Sequence, residues 1–170
     1  GGALHIGESG SDNGLLITRG GRVEYCGDYI SNPNTEIGQL AGAINNWVVV
    51  DGAGSVFSNV FIYVGHEGGG NGALVTNGGR MFTSHRNFIG YGHAGNPGWG
   101  CSNLAIVTGT GSVWEVGQYS VVGYYGSGNQ LIVTNGGVVN GQVIAGRGDA
   151  SDSALGSSNV VVITGPGSVL

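Results

Sequence analysis

Along this chain apolar side chains recur at every second position in short bursts, each headed by an asparagine and closed by a glycine-rich turn. Six bursts align, headed by Asn13, Asn46, Asn71, Asn103, Asn129 and Asn159. Two residues after the Asn stands Leu15, Val48, Ala73, Ala105, Leu131 or Val161, and two later Ile17, Val50, Val75, Val107, Val133 or Ile163. Period two is the strand period, so these side chains share one face of a short strand. The next residue is Thr18, Asp51, Thr76, Thr108, Thr134 or Thr164. The eighth residue after each Asn is a glycine: Gly21, Gly54, Gly79, Gly111, Gly137 and Gly167. Two further on, Val23, Val56, Met81, Val113, Val139 or Val169 begins a second apolar run. A later apolar-Gly pair follows in most bursts, as in Ile37-Gly38 and Val64-Gly65.

The bursts alternate in kind. Thr-x-Gly-Gly closes those at 18–21, 76–79 and 134–137, whereas Gly-x-Gly-Ser-Val closes those at 52–56, 109–113 and 165–169. Each phrase returns after 56 to 58 residues, so the unit is a pair of related half-repeats. The expected fold is all-β: a single parallel β-helix (β-solenoid) domain over residues 1–170. About six coils form three double-coil repeats, near 13–70, 71–128 and 129–170, the last completed by residues 1–12 of a neighbouring copy. Coils would stack at about 4.8 Å, the strand spacing. A single coil cannot bury its apolar face, but a stack buries a continuous one.

Two columns carry structural expectations. In a stacked coil the six asparagines lie above one another and their amides hydrogen-bond as a ladder. Six independent turn asparagines are the alternative, and the cost of an unpaired buried amide favours the ladder. The glycine column is expected to supply positive φ or a close approach between coils.

Beyond Val169-Leu170 the pattern calls for an apolar strand and an apolar-Gly pair before the next Asn. Ala3, Leu4 and Ile6-Gly7, ahead of Asn13, have that form. Joining Leu170 to Gly1 makes a coil of 24 residues, close to the 25 and 26 of the complete coils of its type. Ala3, Leu4, Ile6, Gly7, Val161, Ile163, Val169 and Leu170 are therefore the candidate self-assembly junction. The chain reads as a window of a longer array or as a subunit stacking head to tail. Neither end carries a helix, a proline cluster or a charge run that would cap a solenoid, and a translating contact that does not close yields a filament.

Glycine reaches 38 residues while charged residues make only 9% and apolar ones 40%. That balance argues against disorder, and three prolines without a triplet period argue against collagen. A net charge of −5 with five basic residues excludes a nucleic-acid surface and an anionic-membrane surface. No apolar run approaches the ~20 residues of a membrane span. Lacking an initiator Met and a signal peptide, the chain reads as a mature product or an excised piece.

Chemistry is sparse. Glycoside cleavage needs two carboxylates flanking one bond. Of the ten, Asp51 is a turn residue and most others fall in expected solvated loops; Glu36 and Glu67 could meet on one face. His5, His66, His85 and His93 show no metal-ligand spacing, the calcium-binding nonapeptide is missing, and Gly148–Asp152 reads as a solvated loop. No cofactor or metal is expected. Arg147-Gly148-Asp149 spells an integrin-type tripeptide in a Gly/Ser/Asp-rich loop, where chance matches are common. A flat double-Thr ice-binding face is absent, because the position two before each Thr is apolar. Phe57, Trp114 and Leu170 are repeat equivalents, expected to pack between coils rather than form an exposed aromatic column. Cys26 and Cys101 lie two coil steps apart, about 10 Å along the axis, so a disulfide would need its loops to close the distance to about 7 Å.

Asn-x-hydrophobic-x-[Ile/Val]-Thr-x-Gly-Gly-x-Val, alternating with Gly-x-Gly-Ser-Val-Trp and apolar-Gly pairs, resembles repeats of large bacterial surface proteins, the β-solenoid passenger regions of autotransporters and related adhesins. The resemblance runs from Leu4 to Val169. It implies secretion, extracellular or cell-surface display and adhesion or matrix roles. The expected function is a non-enzymatic structural protein forming an extracellular fibre or surface stalk, its main partner another copy of itself. An adhesin segment binding glycan or host protein and a polysaccharide-cleaving β-helix are the alternatives.

Overall fold

The computed structural model describes residues 3–24, 34–148 and 156–170. These contain thirteen strands and no helix. In chain order they are β1 (Leu4–Ile6), β2 (Gly14–Thr18), β3 (Arg22–Glu24), β4 (Asn34–Ile37), β5 (Trp47–Asp51), β6 (Val56–Val64) and β7 (Gly72–Thr76). There follow β8 (Arg80–Ile89), β9 (Leu104–Thr108), β10 (Val113–Tyr124), β11 (Gln130–Thr134), β12 (Val138–Arg147) and β13 (Val160–Thr164).

Every pairing among these strands is parallel, and none of them pairs with its neighbour in sequence. The chain alternates between two sheets, as parallel strands require crossover connections. One sheet runs β13-β11-β9-β7-β5-β2, one strand from each Asn-headed burst. The other runs β1-β4-β6-β8-β10-β12, with β3 also beside β6. Neither sheet closes into a barrel. This all-β, two-sheet parallel arrangement is consistent with the expected solenoid.

The six-stranded sheet keeps one register throughout. Leu15, Val48, Ala73, Ala105, Leu131 and Val161 stand in line, as do Ile17, Val50, Val75, Val107, Val133 and Ile163. Between them, Leu16, Val49, Leu74, Ile106, Ile132 and Val162 face outward. The inner columns join one apolar cluster with Phe57, Ile62, Val64, Met81, Ile89, Trp114, Val122 and Val139 from the second sheet. Phe57 and Trp114 are fully buried, as packing between strands requires, whereas Leu170 at the end of the stack is 45% exposed. The two alanines stand in the rungs that carry Met81 and Trp114, so small and large residues face one another within the cluster.

The long strands of the second sheet bend. Register shifts fall between Asn59 and Phe61 and between Glu115 and Tyr119, and Gly117 sits where a Cβ would overlap the Ser84 carbonyl. Each long strand therefore has a first limb (56–59, 80–83, 113–116) and a second (61–64, 86–89, 119–122). β3 pairs with a first limb and β4 with a second.

The registers also correct one expected column. Val23 lies opposite Phe57, Phe57 opposite Met81 and Met81 opposite Trp114, while Val56 and Val113 flank Arg80. The Gly-x-Gly-Ser turn is one residue longer than Thr-x-Gly-Gly, so counting from the Asn slips by one in alternate rungs.

Candidate functional site

The asparagines are joined rung to rung. Asn13 donates from both its backbone N and its Nδ2 to Asn46 Oδ1, at 3.0 Å each. Asn46 does the same to Asn71 Oδ1 at 2.9 and 3.0 Å, Asn103 to Asn129 Oδ1 at 2.8 and 3.1 Å, and Asn129 to Asn159 Oδ1 at 2.8 and 3.0 Å. The step from Asn71 to Asn103 keeps the backbone bond at 2.8 Å, but Asn71 Nδ2 turns to the carbonyls of Ala43 and Gly69. Asn46, Asn71, Asn103 and Asn129 are buried, so each bond satisfies groups that water cannot reach. The ladder has a direction: at each of the five steps the Oδ1 accepts from the preceding rung and the backbone N–H donates to the following one.

The apolar-Gly pairs make room for it. Gly7, Gly38, Gly65, Gly90 and Gly123 all have positive φ. A Cβ on them would overlap the side-chain amide of Asn46, Asn71, Asn103, Asn129 and Asn159 respectively. Glycine is required there on both counts.

The turn glycines, expected to supply positive φ or a close approach, divide between the two by turn type. Gly54, Gly111 and Gly167 have φ of 83°, 84° and 75°. In the Thr-x-Gly-Gly turns the preceding residue takes that conformation (Gly20, Gly78 and Gly136), while a Cβ on Gly79 or Gly137 would overlap the carbonyl of Val50 or Val107. Gly21, in the first rung, would meet only its own Thr18 carbonyl at 3.0 Å. Alternation has its own chemistry: Ser55, Ser112 and Ser168 accept through Oγ from the N–H of Gly20, Gly78 and Gly136 at 3.1, 3.0 and 3.2 Å. A serine turn thus seats on a double-glycine turn.

The candidate junction residues fall at the two ends of the strand order, as a pair of unlike surfaces. At one end Ala3 is exposed, Leu4 is partly buried and Ile6 buried, with β1 paired to β4 and Gly7 against Asn46. At the other, Val161 is partly buried, Ile163 is 47% exposed and Val169 50% exposed, although Val169 bridges Val138. Ile163 belongs to a column whose other members are at most 4% exposed. Asn13 Oδ1 accepts no hydrogen bond, and the Asn159 backbone N–H donates none, among the described residues.

Sequence reasoning missed the polar surface of the second limbs. Glu36, expected in a solvated loop, is 4% exposed within β4, with His5 Nδ1 at 3.2 Å and His66 Nδ1 at 3.4 Å. Burial alone would raise its pKa, but the hydrogen bond and charge of His66, together with His5, hold it below the ordinary carboxylate value. Glu67 sits with His93 at 3.4 Å, and His66 and His93 rings lie 5.8 Å apart. Beside them Tyr63 stacks on Phe88 at 5.0 Å, and Tyr91 on Tyr124 at 5.0 Å. Burial and neighbouring phenols push Tyr63 up to about 12, so it stays a neutral donor. Tyr63 and Phe88 are register partners, and the recurrence of Tyr and His after the apolar-Gly pairs, at His66, Tyr91 and Tyr124, was the available hint.

No group of three or more His, Cys, Asp or Glu among the described residues is arranged to hold a metal ion. Cys26, and with it the question of its pairing to Cys101, lies outside the described residues, as do Tyr25 and the Asp149 of the integrin-type tripeptide. A scan against protein-family models, a search of curated proteins and a search of solved structures each return no match.

Proposed function

We propose that this chain is a six-rung β-solenoid that acts as a structural segment, growing along its own axis by head-to-tail stacking into an extracellular fibre or surface stalk. The observation that carries this reading is the complementarity of the two ends of the asparagine ladder. Asn159 ends the ladder with a free backbone N–H, and Asn13 begins it with a free Oδ1, the partners that every internal step joins. Gly146 keeps φ of 73° after Ala145 in the last full rung, and among the described residues no asparagine lies against it. Asn13 of a following copy would occupy that socket.

The alternation supports the same register. Successive ladder steps span 33, 25, 32, 26 and 30 residues, long and short by turns. A junction coil of about 24 residues is the short one the order calls for, and its serine turn at 165–168 would be followed by the double-glycine turn at 18–21. Burying the exposed half of Ile163 and Leu170 adds about 1 kcal/mol each, on top of backbone pairing along two sheet edges.

Electron microscopy at neutral pH, with chain mass measured under denaturing conditions, tests the proposal. Long thin filaments built from unlinked chains are expected. Dispersed monomers across the soluble concentration range would refute it and return the chain to the role of one window in a longer array.

A further inference from the structure

Three features of the surface stand out beyond the ends. The outward column of Leu16, Val49, Leu74, Ile106, Ile132 and Val162 has nothing that identifies what covers it. A cavity of about 500 Å³ beside Arg22, Arg80 and Phe82 has its charges matched internally: Arg22 pairs with Glu24, and Arg80 with Glu115 at 3.9 Å. The third differs. On the second limbs, Arg86 and Arg147 converge on one ring, with guanidinium carbons 5.1 and 5.6 Å from the centre of Tyr119, and Arg147 is also 5.7 Å from that of Tyr124. Together with Tyr63 and Tyr91 they line a cavity of about 220 Å³.

Neither arginine has a carboxylate partner among the described residues. Arg86 donates from Nε to the neutral Gln118 at 3.0 Å, and among the described residues the Arg147 guanidinium has only its ring contacts. The chain carries −5 overall and only five basic side chains. Two of the five meet in one concave site, with their planar forks left for an outside acceptor. Arginine binds carboxylate through two parallel N–H donors. The nearby carboxylate of Glu36 is already engaged by His5 and His66.

We propose that this groove binds a single carboxylate-bearing pyranose, a uronic-acid residue of a glycan. Its carboxylate lies between the two guanidiniums, its C–H face lies on the tyrosine rings, and its hydroxyls meet the phenols. Tyrosine suits this use because one ring presents both an apolar face and a polar tip. The size limits the occupant: 220 Å³ lies below the ~300–1,000 Å³ of sites for drug-sized ligands, which suits one ring. The acidic chain repels a dense polyanion, so the preferred glycan spaces its acidic residues with neutral ones. Arg147 stands on β12, the edge strand that axial stacking would cover, so binding is read on dispersed subunits.

Titrating the full chain with glucuronate, glucose and inorganic phosphate, followed by tyrosine-ring and arginine side-chain NMR signals, tests it. Glucuronate is expected to shift the Tyr119, Tyr124 and Arg147 signals saturably, with glucose and phosphate each at least tenfold weaker. Arg147→Ala and Arg86→Gln should each weaken glucuronate about tenfold while the far-ultraviolet circular dichroism is unchanged. Arg147→Lys, which keeps the charge and loses the fork, should recover only part. If Arg86→Gln disturbs the fold, the exposed Arg147 pair of variants decides alone. Equal binding of glucose would overturn the role of the arginines. Equal binding of phosphate would overturn the sugar and leave a simple anion site. Absence of shifts with all three probes would overturn the site.

Discussion

Removing one amide from the middle of the ladder should cost far more than removing one from its end. Asn103 Oδ1 is the acceptor for the N–H of Asn71 at 2.8 Å, and Asn103 Nδ2 donates to Asn129 at 3.1 Å. Asn71 is fully buried, so in Asn103→Ala its N–H loses its partner without gaining water, a cost of about 1–3 kcal/mol. The side-chain bond to Asn129 contributes about 1 kcal/mol more, and the space left against Gly65 adds to both. The expected total is about 3 kcal/mol. In Asn13→Ala the lost Nδ2 is on an exposed residue and gives up Ser11 and Asn46, the buried Asn46 Oδ1 keeps the N–H of residue 13, and the cost stays below about 1 kcal/mol. Urea unfolding of dispersed subunits measures this. With a slope of about 2 kcal/mol/M, Asn103→Ala should lower the midpoint by about 1.5 M and Asn13→Ala by less than 0.5 M. Amide exchange gives a local check, since the Asn71 N–H alone among the ladder amides loses its acceptor. Equal midpoints for the two variants, or unchanged protection at Asn71, would refute the ladder as a source of stability.

Two further outcomes follow from the same geometry. Glu36 has a carboxyl pKa held below the ordinary 4.5, so its stabilisation is complete above that value and fades as pH falls through it. Urea midpoints from pH 7 to 3 should drop more steeply for the wild type than for Glu36→Gln, which starts lower at pH 7; parallel profiles would show that the His5–Glu36–His66 group adds nothing. Gly65→Ala puts a Cβ into the Asn103 amide at φ 74°, and should lower stability by at least about 2 kcal/mol. Gly42→Ala, facing open space without positive φ, should be near neutral by thermal melting, and equal effects would remove the steric account.

Much of the two-sheet arrangement was legible because strand period two and the Asn spacing are local signals, repeated six times without interruption. The same counting failed beyond the turns. Gly21 and Gly54 stand at one distance from their asparagines, yet only Gly54 takes positive φ, because the two turns differ in length by a residue that no single-column alignment can assign. Glu36 looked like loop composition, since the column His5, Glu36, Tyr63 and Phe88 mixes charge with aromatics. Its burial depends on two histidines from other rungs. The arginine groove was hidden for a related reason: Arg86 and Tyr119 are register partners, but the longer Gly-x-Gly-Ser turn before Tyr119 sets it one residue further from its rung's asparagine.

The direction of the ladder makes a stronger demand on assembly than filament formation alone. Two like ends cannot satisfy each other, because each would present donors to donors or acceptors to acceptors. The proposed stacking therefore calls for a translating, heterologous contact rather than a two-fold one. Each end can then be blocked separately. Asn13→Lys removes the Oδ1 that would receive the Asn159 N–H and brings a chain too long for the Gly146 socket. Ile163→Asp places a charge in the column that the junction would bury, which is costly when unpaired. Each variant alone should remain monomeric. Mixed, the intact Asn13 end of one fits the intact Ile163 end of the other, and growth stops after a single junction. Analytical ultracentrifugation of the equimolar mixture should therefore show a species of twice the subunit mass, with no longer polymer. Monomers alone in the mixture, or dimers of either variant by itself, would mean that stacking does not use these two surfaces in this orientation.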